Sequence, residues 1–111
     1  MYLKRGDVVY IELDNKGNIQ TGYRPCVIVS NNKCNRFSPV VLVVPLTSSC
    51  KSVLPTHVPI RLVEQSTALC EQVIPINTTD IGKKIHSVSS EEMARIDNAL
   101  KISLDLNWHT C

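Results

Sequence analysis

Three short stretches place polar groups where a strand would hold them rigidly. Arg24-Pro25 stands at the head of the apolar run CVIV, Thr47-Ser48-Ser49 follows directly on VVLVVPL, and Glu71-Gln72 lies inside ALCEQVIPI. Pro25 fixes its own φ and restricts the backbone of Arg24 to extended values. The pair therefore aims a permanent cation from a fixed point. A hydroxyl ending a neighbouring strand would complete a site able to stabilise negative charge. Each stretch also has a plainer reading. Arg24 can snorkel to water, a Thr-Ser-Ser run is an ordinary strand exit, and Glu71 and Gln72 point to opposite faces if both lie in a strand.

The elements that must position these groups follow from periodicity and punctuation. GDVVYIEL, residues 6 to 13, alternates as a first strand. DNKGNIQTGY is a long connection rich in glycine and asparagine. CVIVSN, 26 to 31, reads as a second strand and NKCNRFS as a loop closed by Pro39. VVLVVPL, 40 to 46, is a continuous apolar run, the mark of a strand buried on both faces, and Pro45 puts its end at an edge or bulge. After the polar loop TSSCKSVLP come THVPIRL as a fourth strand and ALCEQVIPI, 68 to 76, as a fifth. Ser89 with Glu92 three residues on forms a capping box. Met93, Ile96, Ala99, Leu100, Ser103 and Leu104 then recur at helical spacing. Five or six short strands closed by one terminal helix predict a small barrel or tightly curled sheet.

Composition narrows the class. The chain has 111 residues, enough for one domain over residues 1–111. No apolar run approaches the roughly 20 residues of a membrane span, and MYLKRGDVVY does not read as a signal peptide. Five cysteines at 26, 34, 50, 70 and 111 form no Cys-x-x-Cys pair. Their odd number argues against a disulfide framework and a structural zinc site, and for a reducing, cytoplasmic setting. Cys26 and Cys70 read as core filler, and the histidines at 57, 86 and 109 are scattered. No cofactor or metal is expected. Charge is uneven: residues 15 to 63 carry six bases and no acid, whereas 64 to 111 carry seven acids and four bases. A basic half can attract a phosphate backbone, although solvated surface cations account for it equally well.

The order KRGDVV, Gly-rich loop, GYRPCVIVSNN, NRFSPVVLVVPLT, LPTHVPI, LCEQV, SSEEMARIDNALKISLDL resembles the MazF/PemK family of bacterial toxins. KRGDVV, RPCVIVSN, NRFSPVV and LPTHV taken jointly are its most specific matches. The resemblance spans roughly residues 3 to 106 and leaves out the tail, 107 to 111.

It implies a mainly β fold with a C-terminal helix, a small half-open β-barrel of the CcdB/PemK-like type. It implies a homodimeric, metal-independent endoribonuclease that causes growth arrest by cutting single-stranded RNA of the message class and leaves a 2′,3′-cyclic phosphate. It also implies a cognate antitoxin and a toxin–antitoxin complex that binds its own operator DNA through the antitoxin. Set on this sequence, the family's catalytic pair is Arg24 and Thr47. The loop that helps hold RNA supplies Asn18, Gln20 and Thr21, Ser48 lies beside the catalytic threonine, and the base-reading pair is Glu71 and Gln72.

An arginine fork suits phosphoryl oxygens, but it is a poor general base. Glu71, a histidine brought in by folding, or solvent remains for that role. Ile74 departs from relatives that carry a polar residue there, as does Ile19. Two rival readings share the fold: a gyrase poison of the CcdB type working through its C-terminal helix, and a binder of RNA or antitoxin that does not cut.

Overall fold

A computed structural model describes residues 2–13, 22–49 and 53–106. Seven strands make one sheet: β1 (Asp7–Leu13), β2 (Gly22–Ile28), β3 (Val40–Thr47), β4 (His57–Arg61), β5 (Gln65–Leu69), β6 (Ile74–Asn77) and β7 (Ile81–Ser87). Its order is β4-β5-β3-β2-β1-β7, with β6 also paired to β3. The end strands β4 and β7 do not pair with each other, so the barrel is half open. Helix α1 (Asn32–Phe37) lies between β2 and β3, and helix α2 (Ser90–Ser103) closes the described chain.

β3 organises the molecule. Val44 and Leu46 enter one apolar cluster, together with Val8, Val27, Val58, Ile60, Ile96 and Ala99. Val41 and Val43 enter a second, with Val9, Ile11, Cys26 and Ile28. Alternate side chains of a strand point to opposite faces, so the continuous apolar run feeds both cores, as its composition predicts. Pro45 is tolerated between them, opposite Cys26 at the last described β2–β3 pair. Cys26 and Cys70 are buried free thiols. Burial pushes both up to about 12, partly opposed at Cys26 by the charge of Arg24 and reinforced at Cys70 by Glu71. Neither offers a thiolate near neutral pH.

The capping box on α2 is complete. The Glu92 amide donates to Ser89 Oγ at 3.1 Å and the Ser89 amide to Glu92 Oε1 at 2.9 Å. Glu92 Oε2 also accepts the Arg61 amide at 2.8 Å, which ties the helix to β4. Met93, Ile96, Ala99 and Leu100 face the first cluster, but Leu104 lies beyond the helix and is exposed.

The KRGD turn locks the N-terminus. Arg5 pairs with Asp97 of α2 at 2.5 Å, and its Nε donates to Val29 O at 2.8 Å. Gly6 has φ +94, which a side chain would strain. Buried Asp7 accepts the Lys4 amide at 2.8 Å and meets Lys84 of β7 at 3.2 Å.

Several boundaries differ from the sequence reading. β2 starts at Gly22 rather than Cys26, so Arg24 and Pro25 lie inside the strand, opposite Ile11 and Tyr10. NKCNRF is a helix rather than a loop, because the Asn31 side chain accepts the Cys34 amide at 2.9 Å and caps it. β7 was not anticipated. Its last five residues are all exposed, and its pairing with β1 is interrupted by register shifts, so it shows no apolar alternation.

The proposed fifth strand is broken. β3 pairs Leu46 with Ala68 and Val43 with Ile74. Between those pairs β3 has two residues and the facing chain has five, from Leu69 to Val73. The surplus loops out, so Glu71 and Gln72 sit in a turn between β5 and β6, not within a strand. Ile74 resumes pairing and packs half-buried against the second cluster. Its departure from the family pattern is therefore a packing choice.

Candidate active site

Arg24 and Thr47 lie just beyond the described β2–β3 pairing. The β2–β3 pairs are Cys26↔Pro45, Val27↔Val44 and Ile28↔Val43. Two further steps in that register, beyond the described pairs, would set Arg24 opposite Thr47, and the period of two would put both on the face of Cys26 and Pro45. Pro25 lies just before the first described β2–β3 pair. Its missing N–H is therefore not asked of β3, which is where a strand accepts proline.

Thr47 ends β3 and is buried. Its Oγ1 lies 3.1 Å from Ser49 Oγ and accepts the Ser49 amide at 3.2 Å. This turn fixes the Thr47 hydroxyl through Ser49. Ser48 is exposed between them. The sequence reading put Ser48 in the site, but the residue that contacts Thr47 is Ser49. Asn18, Gln20 and Thr21 lie outside the described residues.

Glu71 lies apart from these residues, in the β5–β6 turn. Its Oε1 accepts the Thr56 hydroxyl at 2.8 Å, and its Oε2 lies 3.1 Å from His57 Nε2. The His57 side chain is 7% exposed and that of Glu71 36%, so an imidazole is sunk beneath a carboxylate that water still reaches. Burial pushes the Glu71 carboxyl up. Hydrogen bonds from its own amide, His57 and Thr56 outweigh that and hold it below its usual range. Gln72 follows, half-buried, its amide donating to Leu69 O at 3.0 Å. Thr56 and His57 lie in LPTHV, a stretch the sequence singled out without giving it a role. Their contact with Glu71 spans 15 and 14 residues and leaves no local signal.

Among the described residues no group of three His, Cys, Asp or Glu is placed to hold a metal ion. No helix among them is long and apolar enough to cross a membrane. The candidate residues are a half-buried cation on β2, a hydroxyl held at the end of β3 and a carboxylate held in the β5–β6 turn.

The profile described as PemK-like, MazF-like toxin of type II toxin–antitoxin system matches residues 4–104. The chain belongs to the MazF/PemK toxin family. It is 38% identical over 112 residues to a protein named endoribonuclease MazF from Staphylococcus epidermidis, covering 95% of this chain and 93% of that one. Its fold is similar to an endoribonuclease solved with its cognate antitoxin from a mycobacterial species, with TM-score 0.84, 27% identity, and 96% and 99% of the two chains covered. It is also similar to MazF of Deinococcus radiodurans, with TM-score 0.83 over 95% and 98% of the chains. At 17% identity that second likeness speaks for the fold alone. The half-open barrel is thus the MazF fold. The family match and the named endoribonuclease weigh against the gyrase-poison reading.

Proposed function

We propose that this toxin is an endoribonuclease that cuts single-stranded RNA at the Arg24–Thr47 row. What supports the reading is the β2–β3 register, which would align the two residues if continued two steps past its described pairs. The 2′-hydroxyl attacks the adjacent phosphorus, the 5′-oxygen leaves, and the products are a 2′,3′-cyclic phosphate and a 5′-hydroxyl. The Arg24 fork binds the phosphoryl oxygens as charge builds on them. Thr47 Oγ1, oriented by Ser49, holds the scissile phosphate. A preorganised donor of this kind contributes roughly 10²–10³ in rate.

Neither Glu71 nor His57 is the proton acceptor on this reading. Both oxygens of Glu71 are engaged, and its carboxyl is held below the range suited to taking protons at neutral pH. Counting strands and residues from Thr47 to His57 puts them on the order of 10 Å apart. Solvent is left as the base.

The toxin works as a homodimer on messenger RNA in the cytoplasm, and its cognate antitoxin covers the RNA groove. The toxin–antitoxin complex reaches operator DNA through the antitoxin. The test is incubation of the purified protein with a long RNA in EDTA. Fragments ending in a 2′,3′-cyclic phosphate support the reading. Intact RNA beside a cut positive control overturns it.

A further inference from the structure

Thr47, the last residue of β3, pairs with Thr67 of β5, and Thr67 pairs with Pro59 of β4. Paired residues share a face of the sheet, and that face returns at every second residue. Gln65 and Arg61 pair two residues further along the same two strands, so they also stand on the face of Thr47. The face opens outward as it crosses the strands. Thr47 is buried, Thr67 is half-buried, and Pro59, Gln65 and Arg61 are exposed. With strands about 4.8 Å apart and residues about 3.3 Å apart along them, the Cα atoms of Arg61 and Thr47 are about 12 Å apart. Arg61 is therefore too distant to share the scissile phosphate, and near enough for another phosphate of the same strand.

The fold uses the Arg61 backbone, whose N–H donates to Glu92. Among the described residues its guanidinium makes no ion pair. Arg61 is also the last base of the stretch from 15 to 63, which holds no acid. It lines a cleft of about 1100 Å³ bounded by β4, β7 and the start of α2. Arg95, Glu91 and Glu92 line the same cleft. Both oxygens of Glu92 already accept backbone amides. Glu91 stands one turn from Arg95 on the same helix, where the two charges offset each other. Arg61 is the cation that meets both the cleft and the Thr47 face. Tyr10, stacked on Tyr23 with ring centroids 4.9 Å apart, adds an aromatic wall. A cation and an aromatic wall in one cleft suit single-stranded nucleic acid, with phosphates on the charge and bases on the ring.

Resting on the nuclease reading above, we propose that Arg61 is a second phosphate contact for the RNA. The strand leaves the cut across Thr67, sets a flanking phosphate on Arg61, and enters the cleft between β4 and β7. The guanidinium fork binds two phosphoryl oxygens at once. Gln65, its cross-strand partner, offers an amide to the same nucleotide. Binding therefore depends on RNA length on one side of the cut.

The test uses RNAs with a deoxyribose at the mapped scissile position, which bind and cannot be cut. One is trimmed to the nucleotides around the cut, one is extended on its 5′ side and one on its 3′ side. In the wild type one extension and not the other tightens binding by roughly tenfold, the scale of one charge-assisted contact. Arg61→Ala removes that gain and lowers the slope of log affinity against log salt by about 0.7, the value of one phosphate contact on a single strand. Arg61→Lys, which keeps the charge without the fork, retains part of the gain. Lys33→Ala, which removes an exposed cation of α1, retains all of it. Melting temperatures measured alongside separate a lost contact from a lost fold, and Arg61→Gln repeats the test if Arg61→Ala unfolds.

An unchanged gain in Arg61→Ala overturns the proposal. An equal loss in Lys33→Ala does so too, since the effect would then be one of net charge. Two extensions that add nothing also overturn it, and leave the cleft to a protein partner. A wild type that cuts no RNA is the failure of the nuclease reading instead. The salt slope on a long single-stranded RNA then decides: a slope lowered in Arg61→Ala supports the contact, and an equal slope overturns it.

Discussion

β4 ends at Arg61 against Glu92 and begins at His57 against Glu71. Both glutamates bind through both oxygens, and both carboxyls are held below their ordinary value by hydrogen bonds that outweigh burial. Their surroundings separate them. Glu92 is buried at 8% exposure, and its partners are backbone amides. It closes two unsatisfied donors, one at the helix start and one on the sheet edge, and so joins α2 to β4. Glu71 is exposed, and its partners outside its own turn are the side chains of Thr56 and His57. Similar chemistry at the two ends of one strand thus serves cohesion at one end and leaves a held, water-exposed carboxylate at the other. What decides between them is whether the partners are backbone groups that the fold must satisfy.

Breaking the Glu92 end gives the largest effect. Glu92→Ala removes the reciprocal half of the capping box and leaves the Arg61 amide without its acceptor. We expect a loss of about 2–3 kcal/mol in urea unfolding, with cleavage per folded molecule unchanged. A stability loss below about 0.5 kcal/mol would erase the contrast, since that is the level of an ordinary surface substitution.

Glu71→Gln is the mirror experiment. It should shift stability by less than about 1 kcal/mol, since Glu71 is exposed and the amide keeps an acceptor for Thr56, while changing which RNA sites are cut. A larger loss of stability with an unchanged cleavage pattern would make Glu71 a second structural glutamate.

Acid titration gives the smallest effect and sharpens the comparison. For both residues the folded carboxyl is more acidic than the unfolded one. Their stabilisation is therefore complete above the ordinary value of 4.5 and is lost as pH falls through the lower folded value. The pH dependence of stability below 4.5 should flatten more in Glu92→Gln than in Glu71→Gln. Equal slopes would mean that the two carboxylates contribute alike.

The Glu92 end was half legible in the sequence. Ser-x-x-Glu before an apolar helical stripe announces the capping box, because both partners are local. The Arg61 contact, 31 residues away, has no such signature. At the Glu71 end the reading went astray for a physical reason. Apolar residues flank Glu71 and Gln72 on both sides and continue the strand pattern, and only the register against β3 reveals three surplus residues. Arg24 and Thr47 were legible as types at strand ends. Their alignment needed the β2–β3 register, which no spacing along one chain encodes. α1 was hidden by its six-residue length, and β7 by its exposed, bulged course along β1.

The central claim is that the Arg24–Thr47 row does the cutting. Its most direct test is single-turnover cleavage of one mapped RNA, in EDTA, by the wild type and by Arg24→Ala of matched melting temperature. The account predicts that Arg24→Ala cuts the same site roughly 10²–10³ times more slowly, the scale of losing one preorganised charge-stabilising group. Equal rates in the two folded proteins would contradict it.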